Sequence, residues 1–120
     1  MADLSALKHY GIDTEEGLAY CADDPEFYEE MLAEYVTEGL ENVTELKSSF
    51  DDSDWENYRI KAHSVKSTSR MIGAKELAER AYEMEMAAKN GNTTAVISSH
   101  PLFLEEYNNL IALLQKELGL

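Results

Sequence analysis

Residues 62–70 read AHSVKSTSR, which places one histidine, His63, close to Lys66 and Arg70. An imidazole has an ordinary pKa of about 6.5, so at neutral pH a ring nitrogen is largely free to attack an electrophile without an auxiliary base. If the electrophile is a phosphoryl group, a cation one helical turn away can stabilise its oxygens. The segment therefore indicates a nucleophilic histidine supported by Lys66.

The spacing of apolar residues predicts that this histidine lies on a helix and faces solvent. Six residues fall within one arc of roughly 100° on the predicted helix. They are Trp55, Tyr58, Ala62, Val65, Ser69 and Ile72. His63 projects roughly 130° from the middle of that arc. It shares the outer surface with Arg59, Lys66, Ser67 and Arg70, and Ser67 is small enough to let another protein approach the ring.

Cations cluster around this helix although the chain has a formal net charge of −14, from 10 Lys and Arg against 24 Asp and Glu. Six cations lie between residues 59 and 80: Arg59, Lys61, Lys66, Arg70, Lys75 and Arg80. The cluster predicts a positive patch around His63. The same cations could instead form weak surface ion pairs with the acidic segments 24–50 and 76–85.

The composition excludes several classes of function. The negative charge repels phosphate backbones and anionic lipids, which argues against nucleic acid and membranes as partners. The single cysteine, Cys21, cannot form an internal disulfide or a zinc site of several thiolates, and we expect it in the core. No apolar run approaches about 20 residues, and no signal-peptide pattern begins the sequence. We therefore predict a cytoplasmic protein.

The first long helix of the predicted fold covers residues 24–50. Apolar or small residues alternate there in steps of four and three: Tyr28, Leu32, Tyr35, Gly39, Val43, Leu46 and Phe50. Asp24 and Pro25 are its expected cap and first residue. The polar segment 51–54 follows, and Ser53 with Glu56 resembles a capping box that starts the helix of His63.

Two more long helices complete the predicted fold. One covers about Ala74 to Asn90 and ends at Gly91, and its inner stripe consists of Leu77, Ala81, Met84 and Ala88. The other is capped by Asn92 or Thr93 and either kinks at Pro101 or gives way to a new helix after Ser99. Its buried face is predicted to contain Phe103, Tyr107, Leu110 and Leu114.

Short connections between these long helices imply antiparallel neighbours. With a short additional N-terminal helix near Thr14–Ala22, the sequence predicts an all-α protein, an up-and-down antiparallel four-helix bundle. At 120 residues the chain is expected to form a single domain over residues 1–120.

The segment AHSVKSTSRMIGAKEL carries a motif with five matching residues: His63, Lys66, Ser67, Gly73 and Leu77. It resembles the motif of histidine-containing phosphotransfer (HPt) domains, in which His-x-x-Lys and a small residue precede a glycine and a leucine. The segments FYEEML, EMEMAAKNGN and LEEY also resemble the corresponding parts of such domains. Ser67 departs from the family pattern, because many members have glycine there, and it narrows the clearance above the imidazole.

The resemblance implies a phosphoryl carrier in a two-component phosphorelay, without a kinase or nucleotide site of its own. His63 would accept a phosphoryl group from the aspartate of one receiver domain and pass it to another, and Lys66 would stabilise it. Arg59, Ser67 and Arg70 would contact the partner. The expected partners are response-regulator receiver domains, with a hybrid sensor histidine kinase as a further candidate, and the protein is expected to be monomeric. The receiver would supply Mg²⁺, so no cofactor is expected in this chain, which lacks a Gly-rich phosphate loop.

Two alternatives use the same residues differently. A helical adaptor could bind a signalling partner through the surface around His63 without phosphorylation. A carboxylate-bridged metal bundle would need glutamate three residues before a histidine. The residues at those positions are Ala6, Ile60 and Ile97, so this alternative lacks its ligands. We interpret His9 and His100 as ordinary surface or terminal residues.

Overall fold

The computed structural model describes residues 4–120, and the first three residues of the predicted 1–120 domain lie outside them. A 3-10 helix at Leu4–Tyr10, which the sequence did not predict, precedes five α-helices. These are α1 (Thr14–Tyr20), α2 (Pro25–Asp51), α3 (Trp55–Met71), α4 (Lys75–Lys89) and α5 (Thr93–Leu118). Residues 4–120 contain no β-strand. None of their helices is long and apolar enough to cross a bilayer.

The four long helices form a bundle in which each packs against two others. α3 contacts α2 and α4, and α5 contacts the same two helices on the other side. Three residues join each consecutive pair, at 52–54, 72–74 and 90–92, so neighbouring helices run antiparallel. The predicted four-helix bundle is confirmed.

The predicted apolar stripes form the core. Fully buried members include Tyr28, Leu32, Leu46, Tyr58, Ala62, Val65, Ala81, Phe103, Tyr107 and Leu114, and Cys21 is buried as expected. Buried polar side chains form hydrogen bonds with side chains of neighbouring helices, because an unpaired polar group would lose its hydrogen bonds to water without replacement. The Tyr35 hydroxyl lies 2.8 Å from Ser69 Oγ, and the Asn42 amide donates to the Tyr107 hydroxyl at 3.2 Å. These bonds fix α2 against α3 and α5.

The start of α2 is as predicted, but the capping box that the sequence indicated for α3 is wrong. Asp24 caps α2 and Pro25 is its first residue. At α3 the cap is Asp54, whose carboxylate accepts a hydrogen bond from the Asn57 backbone N–H at 3.2 Å. Ser53 adopts a left-handed φ of 52° in the turn after α2, so the helix starts one residue later than the pattern indicated.

α5 is one helix from Thr93 to Leu118, with Asn92 as its cap. Of the two alternatives at Pro101, a new helix after Ser99 is therefore wrong. Proline has no backbone N–H to donate to the carbonyl of Ile97. The buried residues Val96, Phe103 and Leu104 around it keep both halves packed on the bundle.

The turn between α3 and α4 is held by the chain that precedes α1. The Asp13 N–H donates to the Gly73 carbonyl at 2.9 Å. Gly73 has a φ of 88°, and a Cβ at this position would collide with the Asp13 backbone. Lys75, at the start of α4, also pairs with the Asp13 carboxylate at 3.1 Å. This turn fixes how α4 lies along α3, which carries His63.

Candidate functional site

His63 lies near the middle of α3 on its solvent-facing side, as its helical position predicts. The preceding residue, Ala62, is fully buried in the core, and so is Val65. The His63 side chain is 56% exposed. Half of the ring is therefore accessible to a protein that approaches α3 from outside.

The other half of the ring contacts α4 through a residue that sequence reasoning did not identify. His63 Nδ1 lies 2.8 Å from Oε2 of Glu85, whose side chain is only 10% exposed. Ionised carboxylates only accept hydrogen bonds, so Nδ1 carries the proton and donates. In the neutral ring the lone pair is then on Nε2, which makes no hydrogen bond within residues 4–120. The Glu85 contact thus selects the nitrogen that is available as a nucleophile.

Lys66 is the third member of this cluster. Its Nζ donates to Glu85 Oε1 at 2.8 Å and lies 5.4 Å from the centre of the Tyr82 ring. The Lys66 side chain is only 13% exposed. Lys66 therefore lies near His63, and its charge is neutralised by Glu85.

The Glu85 carboxylate is ionised although it is buried. Burial by itself raises the pKa of the Glu85 carboxyl. Hydrogen bonds from Lys66 and His63 outweigh that effect, and the pKa is lowered below its usual value. The donors therefore keep the acceptor charged, and the charged acceptor in turn orients the imidazole.

Most of the predicted positive patch is neutralised by neighbouring carboxylates, so the prediction of a patch around His63 is wrong. The pairs besides Lys66–Glu85 are Arg59–Glu56, Lys61–Glu45, Lys75–Asp13, Lys75–Glu16, Arg80–Glu83 and Arg80–Glu106. Ion pairs with the acidic segments 24–50 and 76–85, the alternative that the sequence left open, account for three of the six cations: Lys61, Lys66 and Arg80. Arg59 and Lys75 pair with carboxylates outside those segments. Arg70, by contrast, is exposed and makes no ion pair within the described part of the chain.

The exposed surface around His63 combines small, basic and apolar side chains. Ser67 is exposed one turn after His63, and Arg59 lies one turn before it with a partly exposed guanidinium. Ile60 on α3 and Tyr82 on α4 add exposed apolar area that the sequence interpretation left out. The surface is therefore mixed, and suited to contact with another protein.

His100 is buried, so its interpretation as a surface or terminal residue is wrong. Its Nδ1 lies 2.8 Å from the Tyr58 hydroxyl, and its ring stacks on Phe50 with the ring centres 3.9 Å apart. Burial lowers the pKa of His100. Its position four residues after Val96 and three before Phe103 places it on the inner stripe of α5. His9 is exposed, as expected.

The arrangement of the titratable side chains does not resemble a metal centre. Within residues 4–120 no group of three or more His, Cys, Asp or Glu side chains is placed to hold a metal ion. At His63 and Glu85 the third partner is the Lys66 ammonium, which occupies one carboxylate oxygen. The cluster has instead a half-exposed imidazole beside an internally balanced pair of charges.

Comparison with known proteins adds family and fold to this geometry. The crystal structure of histidine-containing phosphotransfer protein B (HptB) from Pseudomonas aeruginosa PAO1 is similar, with a TM-score of 0.74 over 91% of each chain and 22% sequence identity. At that identity the likeness concerns the fold. None of the curated proteins compared with the chain matches it significantly. The family model of the Hpt domain matches residues 30–117, which include His63, Lys66 and Glu85. Because that match covers most of the sequence, the chain belongs to the Hpt domain family.

Proposed function

We propose that the protein is a phosphoryl carrier between receiver-domain aspartates, with His63 as the phosphoacceptor. The observation that carries the proposal is the 2.8 Å contact between His63 Nδ1 and Glu85 Oε2 on a ring that is half exposed. In the neutral ring this contact places the proton on Nδ1 and leaves the lone pair on Nε2. Membership of the Hpt domain family supports the same role.

The transfer step exchanges one bond to phosphorus for another. The lone pair of His63 Nε2 attacks the phosphorus of an aspartyl phosphate on the receiver. The Nε2–P bond forms while the P–O bond to the aspartate breaks, and the aspartate leaves as a carboxylate. The ring keeps its proton on Nδ1 and becomes positively charged, and the ionised Glu85 beside it stabilises that charge. Passing the phosphoryl group to a second receiver reverses these steps.

Lys66 makes the negative charge of Glu85 compatible with this chemistry. A phosphoryl group is anionic, so an unpaired carboxylate beside the ring would repel it. The Lys66 ammonium, 2.8 Å from Oε1, balances that charge in the region where the phosphoryl group arrives. Because the lysine is mostly buried and touches Tyr82, its position is fixed before the partner binds. The role of Lys66 is to balance the charge of Glu85, and it does not itself attack the phosphorus.

The receiver supplies what this chain does not contain. Mg²⁺ and the aspartate belong to the receiver domain, whereas this protein contributes the imidazole and its surroundings. Ser67 allows approach to the ring, and Arg59 and Arg70 flank it one turn before and about two turns after. Arg70 is exposed and has no ion pair within residues 4–120, so its guanidinium can pair with a receiver carboxylate. The receiver domain of a hybrid sensor histidine kinase would dock on the same surface around His63.

A transfer assay tests the proposal. A receiver domain carrying radiolabelled phosphate is mixed with the protein in the presence of Mg²⁺, and we expect an acid-labile, base-stable label at residue 63. His63→Gln should abolish labelling without changing the helix content, because the side chain is exposed. His9→Gln, which alters another exposed histidine, is the matched control and should be labelled normally.

A complex that forms with the receivers while no label moves would refute the carrier role. The adaptor function, which uses the same surface without phosphorylation, would then stand. Labelling of the His63→Gln variant would instead mean that another residue accepts the phosphoryl group.

A further inference from the structure

A groove of about 640 Å³ lies between α4 and α5, away from His63. On α4 it is lined by residues 76 to 83, and Glu83 projects roughly 200° from Glu85 around the helix axis. Residues 10–12, which lead from the 3-10 helix to α1, line it as well. Its volume is in the usual range for ligand sites, about 300–1,000 Å³. The proposed phosphotransfer uses none of its residues.

The groove has an apolar lining that the bundle does not fully cover. Leu77 and Ile12 are buried at its base, while Leu110 and Leu113 of α5 are only partly buried. Residues 76–83 correspond to about 10 Å along the helix axis, or two turns. On α5, Leu110 and Leu113 lie three residues apart, about 4.5 Å along the helix axis, so their exposed parts match two large side chains spaced one helical turn apart on a bound segment.

The rim of the groove is acidic. Its four carboxylates belong to Glu76, Glu79, Glu83 and Glu106, and Arg80 is the single cation among the lining residues. Arg80 already pairs with Glu83 at 3.6 Å and with Glu106 at 3.2 Å. Glu76 and Glu79 are exposed and form no ion pair within residues 4–120. An occupant would therefore meet uncompensated negative charge on the α4 side.

From this combination we infer that the groove binds a basic amphipathic segment of a partner protein, with apolar side chains on the leucines and lysine or arginine side chains on the glutamate rim. Helix-in-groove recognition requires an apolar stripe of this kind. Charge complementarity with the acidic rim favours positively charged side chains on either side of the apolar face of the bound segment. A second copy of this chain does not fit, because its net charge of −14 would bring like charges together. Since the groove and His63 lie on different sides of α4, the segment could stay bound while a receiver engages His63.

The test uses the full chain and a designed peptide. The probe is a fluorescently labelled peptide of about three helical turns, with leucines four residues apart and lysines on the remaining face. We expect saturable binding with a Kd on the order of 10 to 100 µM, and amide chemical-shift changes confined to α4, α5 and residues 10–12. A peptide with glutamate in place of each lysine, and another with serine in place of each leucine, should bind at least about tenfold more weakly.

Matched charge variants separate the groove from the general acidity of the chain. Glu76→Gln with Glu79→Gln removes two rim charges, and Glu30→Gln with Glu41→Gln removes two exposed charges on α2. We expect the first pair to weaken binding about tenfold and the second less than about twofold. His63→Gln should bind the peptide normally, so this inference and the phosphoryl-carrier proposal can fail independently.

Four results would overturn the inference. They are equal weakening by both charge pairs, shift changes outside the groove, no saturation up to about 1 mM peptide, and displacement of the peptide by spermine at comparable concentration. The last result would mean that the site attracts any polycation and that the leucines contribute nothing.

Discussion

The imidazole of His63 on α3 and the carboxylate of Glu85 on α4 are 2.8 Å apart, so the ring is oriented by a different helix from the one that carries it. A shift of α4 by one residue, about 1.5 Å along its axis, would break this contact. The site therefore depends on the packing of the two helices and on the turn that joins them, and not only on the motif in α3.

Replacing Glu85 should separate the charge of its carboxylate from its hydrogen-bond geometry. Glu85→Gln keeps an oxygen that can accept from His63 Nδ1, and we expect phosphoryl acceptance to slow roughly tenfold because the stabilising charge is lost. Glu85→Ala also leaves Lys66 without its partner in a mostly buried position, and it should lower the free energy of unfolding by about 1–3 kcal/mol.

Single-turnover transfer rates and chemical denaturation measure these two effects of Glu85. Glu83→Ala, two residues earlier on a solvent-exposed part of α4, is the control and should leave the transfer rate unchanged. If Glu85→Ala transferred phosphate at the normal rate, Glu85 would have no positioning role.

Lys66→Ala should slow transfer or shorten the lifetime of the phosphorylated form. The variant leaves the Glu85 carboxylate unbalanced beside the incoming anionic group, and we expect an effect of about tenfold. Lys116→Ala removes a cation from the last turn of α5 and gives the matched change in net charge. Equal rates and lifetimes in the two variants would show that Lys66 contributes only to packing.

The sequence was sufficient to predict which face of each helix is buried, but not which residues of different helices are in contact. A period of three to four residues placed Tyr58 and Ala62 in the core and His63 outside, because burial of one face is a property of each helix alone. It could not show that Glu85 of α4 meets His63, since that depends on how two helices are aligned. A usable signal was present, however. Glu85 lies four residues after Ala81 and three before Ala88, so a charged residue occupies the inner stripe.

The errors at α3 and α5 have local causes. Ser53 has the residue type of a helix cap, but the left-handed turn at this position moved the start of the helix to Asp54. The polarity of His100 favours a surface position, although its spacing from Val96 and Phe103 places it in the core. A hydrogen bond with the Tyr58 hydroxyl and stacking on the Phe50 ring lower the free-energy cost of burying the imidazole. Such partners cannot be read from a helical period.

Stability should depend on pH through His100. Because burial lowers the pKa of His100 in the folded protein, the unfolded chain takes up a proton first as the pH falls through about 6.5. The free energy of unfolding should therefore decrease below that pH, until the folded state is protonated too. His100→Gln removes the titrating group, so its stability should change less between pH 7 and pH 5.

Denaturation at several pH values checks the His100 prediction, with His9→Gln as the control for an exposed histidine. The paired carboxylates of Asp13, Glu56 and Glu85 have lowered pKa values. Their protonation therefore reduces the stability of the protein only at more acidic pH, and it does not obscure the effect of the histidine. Parallel pH profiles for the wild type and His100→Gln would contradict the assignment.

The turn that aligns α3 and α4 can be tested with two glycines of similar backbone conformation. Gly73 and Gly91 have φ values of 88° and 72°, so alanine at either position is strained by about 1–2 kcal/mol. A Cβ at Gly91 meets no atom within 4 Å, whereas one at Gly73 collides with the Asp13 backbone. We therefore expect Gly73→Ala to destabilise the protein by about 1–3 kcal/mol more than Gly91→Ala, the usual range for overpacking. Because the displaced turn also sets the position of Glu85 along α3, Gly73→Ala alone should slow phosphoryl acceptance by His63. Equal losses of stability and unchanged transfer in both variants would show that the Asp13–Gly73 contact does not control the site.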